Sequence, residues 1–456
     1  MPVIMRMAFL SILGILLTPL YTGAQPPGQK SEPPPRGSFL GLQQAIELGL
    51  DHHPLVQEAG ANLKVASART EQARAIYYPH VDANFDTTAG AGRLNPRFLV
   101  GGFLVQQNLS QYVGGVSINQ RIFDFGYSQN TVDAAHLAER AQEQGISARQ
   151  ALVVLNVQTA YLLSLKHRRL VQIAEETVRE RGIIKGQIEA LYRQQLKSKL
   201  DVDLVQVELT NAESQLVRAR NGLKSGFANL NRAMGITGVE DYVLEDVPIE
   251  VRAQRPLDSL ISDSLSHPEF RKAKELTASA EAKITATKRQ YLPTVSAYAS
   301  GGDFQVYDQT RSQANNTGGW WAAGGFVSMP LFTGFMIENQ IQEAKAQKAA
   351  AEAVSLNIEQ ALTQQVTNSY LDTISFAQQI KLGEEQVKTA QEALNLAKQR
   401  YKLGLGSIVE VTQAEVALTA AQTRLAEAQY DYKLAEVTLA YASAGSVHLE
   451  VDPTVR

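Results

Sequence analysis

The sequence predicts a mainly α-helical fold with a small β part, built as two tandem copies of a unit of long coiled-coil helices and one β-hairpin. Three observations support this prediction. A heptad pattern occurs twice, a constant offset of 209 residues separates its two copies, and each half contains one pair of segments with period-two alternation.

The heptad pattern of the second half runs through ten positions at spacings of three and four residues. These positions are Val411, Ala414, Leu418, Ala421, Leu425, Ala428, Tyr432, Ala435, Leu439 and Ala442. The same pattern in the first half comprises Val202, Val205, Leu209, Ala212, Leu216, Ala219, Leu223, Gly226, Leu230 and Ala233. Such spacing is typical of a helix packed along another helix, and the alternation of large and small residues allows a close approach. The chain is therefore predicted to be a tandem duplication of a coiled-coil unit.

The composition excludes several classes of protein. A mean hydropathy of −0.17 argues against a polytopic helical membrane protein, which needs several apolar segments of about 20 residues. The net charge of −3 gives no sign of nucleic-acid binding. The absence of cysteine from the 456 residues excludes disulfides, thiolate metal sites and a cysteine nucleophile.

The N-terminal residues are typical of a secretory signal peptide. Arg6 precedes an apolar run that ends at Pro19, and the small residues from Thr22 to Ala24 suit a cleavage site. The alternative, a membrane anchor, is disfavoured because the apolar run is short. The predicted domains are a signal peptide (1–24), a proline-rich leader (25–38), a first repeat (39–240), a second repeat (241–445) and a C-terminal tail (446–456).

Each repeat is predicted to begin with a short helix, a His-Pro step and a second helix. The steps are His53-Pro54 and His267-Pro268, where proline suits the first turn of a new helix. The second helices are expected to end near Tyr77 and Tyr291, just before another proline.

The hydrophobic period then changes from helical spacing to alternation, which predicts one β-hairpin in each repeat. The hairpins are placed at about 80–123 and about 294–332, and each has a polar, glycine-rich loop. The returning strands are predicted from about Tyr112 to Phe123 and from Trp320 to Leu331.

After each hairpin the chain enters a helix without internal proline that is predicted to end near Tyr192 or Tyr401. About 65 residues at about 1.5 Å each give a rod about 100 Å long. The heptad helix then returns for about 40 residues, roughly 60 Å of the rod. We therefore expect the shorter His-Pro helix to stack on the end of the heptad helix.

Four strands in one chain are too few to close a membrane barrel, which needs about eight. An open sheet would expose unpaired backbone groups along its edges. An assembly of two, three or four chains would have enough strands to close a barrel, so the residues predict a ring of protomers. Such a ring has a shared β-barrel at one end and a helical barrel below it.

The order of these motifs resembles that of the TolC-like outer-membrane efflux proteins. The resemblance covers about Phe39 to Gly445 and rests on the duplication, the His-Pro steps, the strand exits such as Leu331-Phe332-Thr333-Gly334, and the turn from Arg400 to Val411. It implies a homotrimer with a 12-stranded barrel in the outer membrane and a periplasmic α-helical barrel. The implied partners are a periplasmic adaptor (membrane fusion protein), an inner-membrane pump and outer-membrane lipid, but no nucleic acid. The implied function is an exit duct for small molecules or proteins.

In this family the turn between the long helix and the heptad helix is the periplasmic tip, which closes the tunnel and contacts the adaptor. The tips correspond to about 192–201 and about 401–410. The residues that the resemblance assigns to adaptor docking are Tyr192, Ser198, Arg400, Tyr401, Gly404, Gly406 and Ser407. Gln195 and Lys197 replace the two glycines in the first repeat, so we expect the two tips to differ in conformation and in adaptor contact.

An acidic residue follows each tip, Asp201 in the first repeat and Glu410 in the second. Two interpretations remain open for this pair. Both residues could be acids that stabilise a helix N-terminus through the helix dipole. The resemblance implies instead a ring of carboxylates at the constriction of the tunnel.

The sequence predicts no catalytic residues, no cofactor and no metal centre, and therefore no enzyme. The seven histidines are scattered, without a pair at helical spacing beside a carboxylate. Trp320 and Trp321 are expected to belong to an aromatic belt or a strand end. The alternative to a channel is a periplasmic coiled-coil scaffold without a pore, which gives no reason for two strand pairs at matched places. Drugs, metals and proteins all remain open as exported substrates.

Overall fold

The computed structural model describes residues 37–90, 109–238, 241–308 and 313–444, all of which belong to one compact unit. The predicted signal peptide (1–24), the leader as far as residue 36 and the tail (446–456) lie outside the described residues. The loops of the two hairpins, 91–108 and 309–312, also lie outside them.

Eight helices account for most of the described residues. They are α1 (Leu42–His52), α2 (Pro54–Arg74), α3 (Tyr127–Arg193), α4 (Lys199–Ala233), α5 (Leu257–Ser264), α6 (Pro268–Arg289), α7 (Met336–Lys402) and α8 (Ile408–Ala444). The long helices α3 and α7 have 67 residues each, which corresponds to about 100 Å at about 1.5 Å per residue. Both ends of these helices keep the offset of 209 residues. Among the helices described, none is long and apolar enough to cross a membrane.

The strands are β1 (Phe39–Leu40), β2 (His80–Gly90), β3 (Leu109–Phe123), β4 (Val243–Leu244), β5 (Thr294–Asp308) and β6 (Gln313–Ser328). Strands β2 and β3 form one antiparallel hairpin, and β5 and β6 form the other. The two hairpins join through the antiparallel pair β3 and β5, which gives one four-stranded sheet in the order β2-β3-β5-β6. The short strands β1 and β4 pair in parallel.

The prediction for the returning strand of the second hairpin was wrong at both ends. Strand β6 ends at Ser328 rather than at Leu331, and it begins at Gln313, well before Trp320. Pro330 explains the early end, because proline has no N–H to donate to the neighbouring strand. The expected start placed the glycine-rich segment in the loop, whereas Gly318 and Gly319 pair with β5.

The two His-Pro steps form helix starts in the same way. His53 Nδ1 accepts a hydrogen bond of 3.2 Å from the N–H of Leu55. His267 Nδ1 accepts one of the same length from the N–H of Glu269. Each histidine is thus an N-cap that satisfies a free N–H of the first helical turn, and the following proline occupies a position that needs no N–H.

The end of α4 meets the junction of α1 and α2, so that α4 and α2 follow one another along α3. Gly235, two residues after the end of α4, has a φ of +74°, and a Cβ added there would lie 2.7 Å from His53 Cα. Beside this junction, Tyr161 of α3 places its hydroxyl 2.9 Å from the carbonyl oxygens of Leu40 and Glu245. Tyr161 therefore ties the long helix to the start of the first repeat and to the segment that leads into the second.

The heptad helices pack as predicted, α4 along α3 and α8 along α7, and α8 also packs against α3. We call α3 with α4 the first helical hairpin and α7 with α8 the second helical hairpin. Near their shared end a hydrophobic cluster contains residues of all four helices. Its buried members are Ile188, Val202, Val205, Leu394, Ile408, Val411 and Leu418. This cluster brings the two turns into one site.

Candidate functional site at the two helical tips

The site consists of the turns that close the two helical hairpins, which we call tip one (194–198) and tip two (403–407). Tip one connects α3 to α4, and tip two connects α7 to α8. The residues predicted for adaptor docking and for the constriction all lie in these turns or within four residues of them. The structure therefore places the predicted site residues at one end of the paired hairpins.

The two tips have the same backbone conformation. In tip one the N–H of Leu196 donates to the carbonyl of Leu191 at 2.9 Å. In tip two the N–H of Leu405 donates to the carbonyl of Arg400, also at 2.9 Å. Hydrogen bonds that span five residues in this way are typical of a Schellman ending of a helix. The prediction that the tips differ in conformation was therefore wrong.

A left-handed residue ends the long helix in both tips. Gly404 has a φ of +74°, and Gln195 at the equivalent position has a φ of +62°. The Schellman hydrogen bonds require this conformation whichever residue is present, so the geometry of the turn prevails over the preference of glutamine. The left-handed conformation costs a residue with a Cβ about 1–2 kcal/mol. Tip one therefore carries strain that tip two avoids.

Asp201 is engaged with the start of its own helix. Its carboxylate accepts hydrogen bonds from Ser198 N–H at 3.0 Å and from Ser198 Oγ at 2.9 Å. Ser198 Oγ in turn accepts from the N–H of Asp201 at 3.2 Å, which completes a capping box. This geometry favours the interpretation of Asp201 as an acid that stabilises a helix N-terminus.

Glu410 has a different arrangement. Its N–H donates to Ser407 Oγ at 3.3 Å, but its carboxylate lies 3.5 Å from Arg400 Nε and is about half exposed. Arg400 also donates to the carbonyl of Leu405 at 3.1 Å. A Cβ on Gly406 would lie 3.0 Å from Glu410 Oε2, so glycine leaves room for this ion pair. Glu410 is thus the more accessible of the two predicted constriction acids.

A contact between the tips joins Lys197 of tip one to Tyr401 at the end of α7. The Lys197 ammonium lies 4.2 Å from the centre of the Tyr401 ring, within the range of a cation–π interaction. Tyr192, the equivalent of Tyr401 in the first repeat, is exposed. Lys197 was noted in the sequence only as a departure from glycine, and the structure gives it this partner.

Four exposed leucines surround the two tips. They are Leu196, Leu200, Leu403 and Leu405, and Leu403 is 73% exposed. Exposed apolar side chains are ordinary when scattered, but a group of them at one end of a structure marks an interaction surface. The family motif does not single out these leucines. Their signal in the sequence is an apolar residue within or next to a short polar turn.

A buried carboxylate lies below the tips and was not predicted from the sequence. Glu415 lies five residues after Glu410 on α8, and only 5% of it is exposed. Its neighbours Lys398 and Arg181 lie on α7 and α3. In the sequence Glu415 directly follows the heptad residue Ala414 and so lies next to the packed face of the helix. This position indicates that the Glu415 side chain could be buried.

The sequence predicts no metal centre and no catalytic residues. Across the described ranges, no group of three or more histidine, aspartate or glutamate side chains could hold a metal ion. His53 and His267 serve as helix caps. Trp321 is 83% exposed on β6, and its assignment to an aromatic belt stays a prediction.

Comparisons with known proteins identify similar chains. A family model described as "Outer membrane efflux protein" matches residues 45–236 and 260–445. Protein CyaE of Bordetella pertussis is 26% identical over 450 residues, which cover 96% of this chain and 92% of CyaE. Outer membrane protein TolC of Escherichia coli is 23% identical over 426 residues, with 87% and 81% covered. The crystal structure of outer membrane protein VceC of Vibrio cholerae has a TM-score of 0.75 at 21% identity, with 89% and 97% covered.

Proposed function

The chain belongs to the outer membrane efflux protein family, and from this premise we propose that it is the exit duct of a tripartite efflux or type I secretion system. The match of the family model to both repeats supports this proposal. Export of small molecules such as drugs or metals, and export of proteins, both fit such a duct.

Family membership confirms several predictions made from the sequence. The chain is an outer-membrane channel protein with a periplasmic helical portion, and its relatives are channels rather than enzymes. Channels of this TolC-like family are homotrimers that work with periplasmic adaptors and inner-membrane pumps. The mainly α protomer with two hairpins is the fold of the solved relatives. The alternative of a scaffold without a pore has no support from them.

The two tips serve as the adaptor-docking end of the duct. The observation that carries this assignment is the group of four exposed leucines on or beside two turns that close with the same hydrogen bonds. An adaptor that binds one tip through apolar contacts would find a similar turn at the other. Tyr192, Ser198, Arg400, Tyr401, Gly404, Gly406 and Ser407 then act by shaping and flanking this surface.

The docking surface can be tested by site-specific crosslinking, because the chain has no cysteine of its own. Leu403→Cys, labelled with a photo-activated crosslinker, should join the adaptor in cells that make the complete system. Leu356→Cys is the matched control, since Leu356 is an exposed leucine of α7 far from the tip. Adaptor capture at Leu356 alone, or at neither site, would contradict the assignment of the tips.

The same tips form the constriction of the duct, with Glu410 as its main cation-attracting group and Asp201 as a secondary one. The half-exposed Glu410 carboxylate supports this ranking, whereas the Asp201 carboxylate is held in its capping box. Several carboxylates around one narrow opening attract cations, most strongly at low salt.

Single-channel recording in a planar bilayer tests this ranking. Wild-type trimers should prefer cations, and Glu410→Gln should reduce that preference more than Asp201→Asn does. Both variants should still form trimers, because neither side chain belongs to the hydrophobic core. A variant that carries both Glu410→Gln and Asp201→Asn should lose most of the cation preference. If its preference is unchanged, the selectivity lies elsewhere in the tunnel.

A further inference from the structure

Beneath the tips, a cluster of charged side chains interrupts the apolar contact between the two helical hairpins. Lys398 of α7 lies 3.6 Å from Glu415 of α8 and 3.7 Å from Glu180 of α3. Arg181 of α3 donates at 3.0 Å to the carboxylate of Glu208 on α4. The cluster therefore draws on all four helices.

Glu415 is the most deeply buried acid of this cluster. It is 5% exposed, and its Oε1 has no hydrogen-bond partner among the described residues. It lines a cavity of about 60 Å³ together with Glu176, Glu180, Arg181 and Thr419. A polar cavity of that size can hold water. Glu415 is thus a buried carboxylate next to a small polar cavity.

Burial raises the pKa of Glu415, because removal from water disfavours the charged form. The positive charges of Lys398 and Arg181 lower the pKa, but by less than burial raises it. The negative charge of Glu180 raises it further. These groups, together with Glu176 of α3 across the cavity and Glu208 bound to Arg181, are the charges that face Glu415 from α3, α4 and α7.

The cluster occurs in only one of the two repeats. At the offset of 209 residues, Gln206 of α4 takes the place of Glu415, and Glu189 takes the place of Lys398. The packing of a heptad helix therefore does not require an acid at this position. Gln206 is only partly buried, whereas Glu415 lies where α8 packs against both α3 and α7, so the buried carboxylate is a feature of the second repeat alone.

We propose that Glu415 is a proton-binding site that couples protonation to the packing of the second helical hairpin against α3, such that a bound proton holds the tips together. The proposal rests on the proposed function of the tips as the constriction of the duct. When the hairpins separate, water reaches Glu415 and its affinity for the proton falls to that of an exposed acid. Separation therefore releases a proton, and acid favours the packed arrangement.

The sign follows from linkage between protonation and structure. The packed state binds the proton more tightly than the separated state, because its Glu415 pKa is raised. Between the ordinary pKa of glutamate, about 4.3, and the raised value, the packed state loses stability as pH increases. Each unit of pKa difference changes the ratio of separated to packed molecules by up to about tenfold.

Hydrogen exchange of purified trimers, followed in peptides that contain the tips, measures this separation. Wild type and Glu415→Gln are compared at each pH from about 4.5 to about 8, the range where a raised carboxyl pKa acts. The intrinsic exchange rate is the same for both proteins and cancels. The two should exchange alike in acid, and wild type should exchange faster as pH rises. A ratio that does not change with pH would overturn the proposal.

Two further variants keep Glu415 and test the cause of its titration. Lys398→Gln removes a positive charge that stabilises the Glu415 carboxylate, so the midpoint of the pH profile should move to higher pH. Glu180→Gln removes a negative charge that repels the Glu415 carboxylate, so the midpoint should move to lower pH. If Glu415 had a purely structural role, the two variants would not shift the midpoint in opposite directions. Shifts in the same direction would contradict the proposal, and this test remains valid even if Glu415→Gln fails to assemble. Exchange does not depend on conduction or adaptor binding, so this test can fail while the proposed function stands.

Discussion

A pair of glycine substitutions separates backbone strain from steric clash in this protein. Gly235 and Gly404 both have a φ of +74°, so alanine at either position costs about 1–2 kcal/mol in left-handed strain. At Gly404 an added Cβ has no atom within 4 Å. At Gly235 the Cβ would lie 2.7 Å from His53 Cα and 2.9 Å from the carbonyl carbon of His52.

The clash at Gly235 involves backbone, which cannot rotate away as a side chain can. Overpacking of this kind typically costs about 1–3 kcal/mol. Added to the strain, it makes Gly235→Ala destabilising by about 2–5 kcal/mol, against about 1–2 kcal/mol for Gly404→Ala. The larger loss of stability for Gly235→Ala comes from the close contact between the end of α4 and the start of α2.

Thermal unfolding of the purified trimers, followed by helical circular dichroism in detergent, measures both effects. Gly235→Ala should lower the midpoint more than Gly404→Ala does, because it adds about 1–3 kcal/mol of backbone clash to the same strain. Equal shifts, or a larger shift for Gly404→Ala, would refute the argument that α4 and α2 meet closely at this glycine. Assembly of both variants as trimers, checked by size-exclusion chromatography, is the control.

Two other predictions concern the tips and the response to pH. Lys197→Gln should remove a cation–π interaction of about 0.5–1 kcal/mol with Tyr401 and speed hydrogen exchange in tip two, whereas Lys197→Arg should not. Burial lowers the pKa of His267, so the folded state resists its protonation and the protein should lose stability as pH falls below about 6.5. His267→Asn keeps an N-cap acceptor and should reduce that loss in thermal unfolding at acid pH, while an unchanged slope would assign the loss to other groups.

The long elements of the fold were predictable because their signals are periodic and stated twice. The ends of α3 and α7 fall within a residue of the predicted Tyr192 and Tyr401, since a polar turn bounds each proline-free helix. The limits of β6 were missed because its glycine-rich segment looks like a loop until a neighbouring strand is present. Pairing with β5 supplies the hydrogen bonds that make Gly318 and Gly319 part of a strand.

The site was predictable in position and not in detail. The repeat and the family motif located both tips, and the His-Pro steps predicted two helix starts. The sequence suggested different tip conformations because Gln195 replaces a glycine, yet both turns close with the same hydrogen bonds. A Schellman ending places one residue in the left-handed region, and the four packed helices hold tip one there despite the cost to glutamine.

The sequence by itself determined the duplication, the order of elements and the faces that pack, because these depend on spacing along one chain. Only the tertiary structure decided how the two similar acids are engaged: Asp201 turns back to cap α4, while Glu410 of α8 pairs with Arg400 of α7. It also decided that Glu415 is buried, because that environment exists only where α8 packs against both α3 and α7. The burial of Glu415 depends on residues of α3 that lie more than 200 positions away in the chain, and the pattern of residues around Glu415 does not specify them.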